Sequence, residues 1–159
     1  AFGLAFALCA PAVAAPEDPV RNLLDAASHN FQPGDHDVQD YFSPERLRTI
    51  YSKDFVARYT DASERAKLSG YSVLERDLVT GSRDGGCPFK DVKLDVKQAD
   101  NGVTEVHATF LPYTCMEGDP MQGEMRTVTF IVMMEDGREV IDDIIQTWST
   151  KHHFGLYPP

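Results

Sequence analysis

The chain has 159 residues, 42% hydrophobic and 25% charged, with 15 Lys and Arg against 25 Asp and Glu and a net charge of −10. That is one domain's length with the apolar content of an ordinary folded one, which excludes global disorder. The acidic balance argues against nucleic acid as a partner, and no apolar run reaches the roughly 18 residues of a spanning helix, so no membrane span is expected.

Residues 1–14 carry no charge and end in Ala12-Val13-Ala14, the small-x-small pattern of a secretory cleavage site. Pro11 and Pro16 would break this stretch as a helix. It therefore reads as a signal-peptide remnant, residues 1–14, ahead of a single α+β domain, residues 15–159, with a periplasmic or secreted location. Cys9 follows Leu8, where a lipidated cysteine wants a small neighbour, so lipidation is not expected. Removing the leader leaves Cys87 and Cys115, spaced too widely for a C-x-x-C redox or zinc site. In an oxidising compartment they are expected to form a structural disulfide.

Asp18-Pro19 is a helix start, with Asp18 as cap and Pro19 in the first turn. Val20, Leu23, Leu24 and Ala27 then recur on one face. Pro33-Gly34 breaks the pattern, and Ser43-Pro44-Glu45 opens a second helix expected to run to about Leu68 and stop at Gly70. Its buried face is Leu47, Ile50, Tyr51, Phe55 and Tyr59. Residues 71–89 read as irregular, with short strands at 71–74 and 77–79. From residue 92 the period becomes two. Strands at 92–97, 103–113, 126–135 and 138–148 are separated by hairpin turns at Asn101-Gly102 and Asp136-Gly137 and by a loop at 115–124. The fold class is α+β, two N-terminal helices packed on a curved antiparallel sheet of about four to six strands.

The start Asp18-Pro-Val-Arg-Asn-Leu-Leu24, the segment Tyr41-Phe-Ser-Pro-Glu-Arg-Leu47 and the ending Asp136-Gly-Arg-Glu-Val-Ile-Asp-Asp-Ile144 carry a resemblance. Over residues 18–148 the chain resembles a family of exported bacterial proteins of unknown function. That family has the cone-shaped, cystatin-like fold of nuclear transport factor and ketosteroid isomerase relatives. The resemblance implies a pocket between the helices and the concave face of the sheet. Relatives of this fold include enzymes, small-ligand binders and interaction modules, so it leaves function open.

Three residues are weak catalytic candidates. Strict alternation on the last strand puts Val140, Asp142, Ile144 and Trp148 on one side and Ile141, Asp143 and Ile145 on the other, so one aspartate has apolar neighbours. Such a carboxylate would titrate high and act as a general base; the bland alternative is a wet strand end paired with Arg76 or Arg138. His107, the one histidine in the four long strands, sits opposite Phe110, solvent-facing or on a rim. Asp77 and Asp84 flank the irregular segment, either at a cone opening or in turns. No nucleophile motif, P-loop or dinucleotide fingerprint is present. His152-His153 and Met116, Met121 and Met125 lack the spacing and number of a metal site, so neither metal nor cofactor is expected.

Between Lys97 and Arg126 there is no Lys or Arg, while Asp100, Glu105, Glu117, Asp119 and Glu124 are acidic. Glu117, Asp119 and Met121 on the loop after Cys115 are the expected partner-binding residues, suited to a basic surface. The leading expectation is an exported, non-enzymatic binding module whose pocket takes an unknown small ligand or peptide. The alternatives are an inhibitor or immunity-type protein using the acidic loop, and a pocket enzyme of isomerase or dehydratase type with an aspartate base.

Overall fold

Helix α1 spans Asp18–Asn30, and the computed structural model describes residues 15–70, 72, 74, 76–82, 85–99, 103–147 and 153–154. The expected signal remnant, the Asn101-Gly102 turn, Asp84, Trp148 and His152 lie outside the described residues. The cap of α1 falls one residue earlier than the sequence suggests, at Glu17, and Asp18 Oδ2 turns back to accept from the Ala15 N–H at 2.9 Å. The expected stripe is the buried one: Val20, Leu23, Leu24 and Ala27 are at most 3% exposed.

The second expected helix is two helices. α2 covers Pro44–Thr49 and α3 covers Lys53–Ser69, with Ile50, Tyr51 and Ser52 between them. Each begins on a serine, whose side chain accepts from Arg46 N–H (Ser43) or Phe55 N–H (Ser52). The break is stabilised from a distance. Ser52 N–H donates to Ile141 C=O at 2.9 Å and Ile141 N–H to Ile50 C=O at 2.7 Å, so the junction pairs with a strand in place of continuing the helix. Gly70 ends α3 at φ 74°, a left-handed cap.

Four long strands follow, β1 (Lys90–Gln98), β2 (Thr104–Leu111), β3 (Arg126–Glu135) and β4 (Arg138–Thr147), with a two-residue β5 (His153–Phe154). They form one antiparallel sheet in chain order. The β3–β4 turn has Asp136 at φ 50° and Gly137 at φ 75°, the two positive angles of a two-residue hairpin. Asp77 and its successors, read as a possible strand, form a turn: Gly81 N–H donates to Asp77 C=O at 2.8 Å.

The helices lie on one face of the sheet. Val106, Ala108 and Phe110 of β2, Val128, Phe130 and Val132 of β3, and Ile141 and Ile144 of β4 meet α1, Phe55 and the turn residues Leu78 and Val79 in one buried cluster. Strict alternation fails on β4 because the ladder carries a bulge. Val132 pairs with Ile141 and Ile131 with Asp143, leaving Asp142 as the extra residue. Ile141 and Ile144 thereby share the core face, and the expected grouping of Val140, Asp142 and Ile144 does not form. No helix among the described residues is long and apolar enough to cross a membrane.

Candidate functional site

Each of the three catalytic candidates has a partner within the fold. Asp142, on the bulge, accepts from the Ser52 hydroxyl at 2.5 Å, and Ser52 Oγ in turn accepts from Phe55 N–H at 2.9 Å. Arg58, one turn into α3, donates to Asp142 C=O and stands 4.0 Å from its carboxylate. Asp142 is thus the anchor of the α3 N-terminus, where a carboxylate also meets the positive end of the helix dipole. Asp143 accepts from the Ile144 N–H at 2.9 Å. His107 lies on the sheet face away from the helices, with Glu105 Oε2 3.0 Å from Nε2 and Thr129 Oγ1 3.1 Å from Nδ1.

Cys87 and Cys115 stand at disulfide distance, 1.99 Å between sulfurs and 5.8 Å between Cα atoms. They staple the acidic loop to the segment before β1, where Cys87 N–H also donates to Pro112 C=O at 2.7 Å. The three partner-binding candidates on that loop divide. Glu117 is exposed. Asp119 and Met121 are half-buried and build the loop: Asp119 Oδ1 accepts from Met121 N–H at 2.7 Å, and Met121 Sδ accepts from Arg126 Nη2 at 3.0 Å. The Arg126 guanidinium also covers the Tyr113 ring at 5.5 Å. Glu124 and Met125, the latter 47% exposed, join Glu117 on the outside.

At the same end of the sheet an open cleft of about 390 Å³ lies between the last turn of α1, residues 38–42 and Asp77. Its position follows from local chemistry. Asn30 closes α1 and holds the next segment reciprocally, its amide donating to Gln39 C=O at 2.9 Å and accepting from Gln39 N–H at 2.6 Å. His36 stands between Gly34 C=O at 3.0 Å and Asn30 C=O at 3.3 Å, packed edge-on against His29, so the returning segment is pinned to the helix end.

Phe31, Tyr41 and Phe42 supply the aromatic walls. Phe42 is fixed from behind, stacked on Tyr59 with centroids 4.1 Å apart. Phe31 lies so close to Gly86 that a Cβ there would sit 3.2 Å from the ring, which joins the cleft to the segment carrying Cys87.

Two carboxylates complete the cleft. Asp77 Oδ1 accepts from Val79 N–H, Thr80 N–H and the Thr80 hydroxyl, at 3.0, 2.7 and 2.9 Å. Its Oδ2 accepts from the Tyr41 hydroxyl at 2.8 Å. Burial, and secondarily the Asp77 charge beside it, push the Tyr41 phenol far above its ordinary value. Asp40 is more open: Oδ1 accepts from Phe42 N–H at 2.9 Å, and Oδ2 has no hydrogen-bond partner among the described residues. Among the described residues no Lys, Arg or His lines the cleft, but the Arg46 guanidinium lies beside it, donating to Asp40 C=O at 2.8 Å and to Gln39 Oε1 at 3.1 Å.

Of these residues the sequence singled out only Asp77. Gln39 and Asp40 sit in the polar break over residues 32–40, and Tyr41 and Phe42 enter only as the start of the segment 41–47 that carries the resemblance. The available signal was an asparagine at a helix end followed by three aspartates without a single Lys or Arg up to Phe42. Among the described residues no group of three or more His, Cys, Asp or Glu is arranged to hold a metal ion.

No protein-family model matches this chain, and neither a curated protein nor a solved structure shows significant similarity to it. The class that fold and geometry define is an α+β domain with its helices on one face of an antiparallel meander and a cysteine-anchored acidic loop beside an open cleft.

Proposed function

We propose that the protein is an exported, non-enzymatic binding module of the cone-fold kind that recognises its ligand at the cleft closing the end of α1. The observation that carries this reading is the cleft itself, in which aromatic walls, the Asn30 amide and the Asp40 carboxylate converge, with the Arg46 guanidinium held beside it on Asp40 C=O and Gln39 Oε1. Binding is favoured over catalysis because Asp142, Asp143 and His107 lie outside the cleft and each serves a partner in the fold. Export is supported by the uncharged leader and by the cysteine pair. The test is a ¹⁵N-NMR screen of the oxidised protein against neutral, basic and acidic dipeptides. Shifts confined to Asn30, Gln39 and Phe42 are expected. Shifts confined to the neighbourhood of His107 or Asp142, or turnover of any compound, would contradict the proposal.

A second reading, an inhibitor or immunity-type protein, is favoured by the exposure of Glu117, Glu124 and Met125 on a stapled loop. A partner captured by the wild type and lost by a Glu117→Ala, Asp119→Ala, Met121→Ala variant would support it; equal capture would remove the loop from recognition.

A further inference from the structure

We infer that the cleft takes a lysine or arginine side chain presented by a partner protein, an assignment that rests on the cleft being the recognition site. The chemistry of the walls selects this class. Val38, Phe31 and Phe42 offer apolar contact, while Asp40 at the rim keeps Oδ2 unbonded among the described residues. An occupant must therefore bring a long apolar stem and a cationic tip, the two halves of a lysine or arginine side chain.

Phe31, Tyr41 and Phe42 line the same cleft as Asp40, so a cation bound there gains from the aromatic quadrupole as well as from charge. An exposed carboxylate alone adds little, so the stem and the rings must supply part of the affinity.

A partner protein, in preference to a free amine, follows from what surrounds the cleft. It is open on one side, and Asp35, Asp37, Glu117 and Glu124 lie exposed on the segments at the same end of the sheet. The chain's net charge of −10 adds long-range attraction for a basic surface. That charge distribution extends well beyond one small cation.

The experiment titrates the oxidised full chain, followed by ¹⁵N-NMR, with four capped tripeptides, Gly-Arg-Gly, Gly-Lys-Gly, Gly-norleucine-Gly and Gly-Glu-Gly, and with cadaverine. The arginine and lysine peptides are expected to shift the Asn30 and Gln39 side-chain amides and the Phe42 backbone. The norleucine peptide is expected to bind several-fold more weakly. Asp40→Asn keeps an oxygen for Phe42 N–H and is expected to weaken the arginine peptide by up to about fivefold. Added salt is expected to weaken it too.

Norleucine or glutamate peptides binding at the cleft as well as arginine would overturn the cationic assignment and leave the cleft as the site. Cadaverine binding as tightly as the peptides would overturn the protein partner. No shift at the cleft with any probe would overturn both this assignment and the proposed function.

Discussion

Asp40 and Glu117, toward one end of β3, are used differently from three acids at its hairpin end, although Asp77 and Asp119 near the first end are also bonded within the fold. At the hairpin end, three acids are met by donors from the first turns of α3. Glu135 accepts from Lys53 N–H at 3.2 Å, Asp136 from Lys53 Nζ at 2.6 Å, and Asp142 from the Ser52 hydroxyl, with Arg58 Nη2 4.0 Å from its carboxylate. The negative charge there is spent on anchoring a helix N-terminus to the sheet. At the other end Asp40 keeps an oxygen free of hydrogen bonds, and Glu117 points to solvent without a partner among the described residues. An acid answered within the fold contributes stability; on the proposed reading, an acid left open serves recognition.

The largest expected effect concerns what holds the open end in place. Replacing both Cys87 and Cys115 with serine frees a loop of 28 residues and should cost about 3.5 kcal/mol in urea unfolding of the oxidised protein against the variant. A loss far below that would mean that the acidic loop is ordered without its staple. Next comes Asp142→Ala, which removes the acceptor of the Ser52 hydroxyl at the helix junction, while Arg58 keeps the backbone C=O of residue 142 and its ion pair with Asp54. A loss of about 2 kcal/mol is expected, with no change in probe binding at the cleft.

Tyr41 belongs to both categories, since it lines the cleft yet is satisfied by Asp77. Its phenol is held above the ordinary value of 10.0 in the fold. The unfolded chain therefore releases that proton first, and the tyrosine's contribution, present below pH 10, is lost as the pH rises beyond it. Tyr41→Phe should cost about 1 kcal/mol at neutral pH and make stability fall less steeply above pH 10, read by urea midpoints across the alkaline range. An unchanged slope would deny the Tyr41 hydroxyl its buried role. The smallest stability effect is expected for Asp40→Asn, within about 0.5 kcal/mol of wild type. A larger loss would place Asp40 among the structural acids.

What the sequence shows of this division follows the range of the interactions. The first helix, the Asp136-Gly137 turn and the alternation of β2 and β3 are set by neighbours a few residues apart, and they are legible. The break at Ile50–Ser52 is not, because Leu47, Ile50, Tyr51 and Phe55 continue one helical stripe straight through it. The deciding partners, Ile141 and Asp142, are some 90 residues away. The same long-range pairing hides the bulge, so alternation misplaces Asp142. The acidic loop is legible as charge, although sequence alone does not separate Glu117, which faces out, from Asp119, which closes a turn. The cleft is least legible, since Asn30, Asp40 and Asp77 meet only when the segment after α1 folds back against the turn before β1.

The most direct test of the division compares Asp40→Asn with Asp142→Ala in one pair of NMR titrations with the capped arginine peptide. The dissociation constant is expected to rise severalfold for Asp40→Asn, a variant as stable as wild type, and to stay unchanged for the destabilised Asp142→Ala. Weakened binding in Asp142→Ala with none in Asp40→Asn would contradict that division.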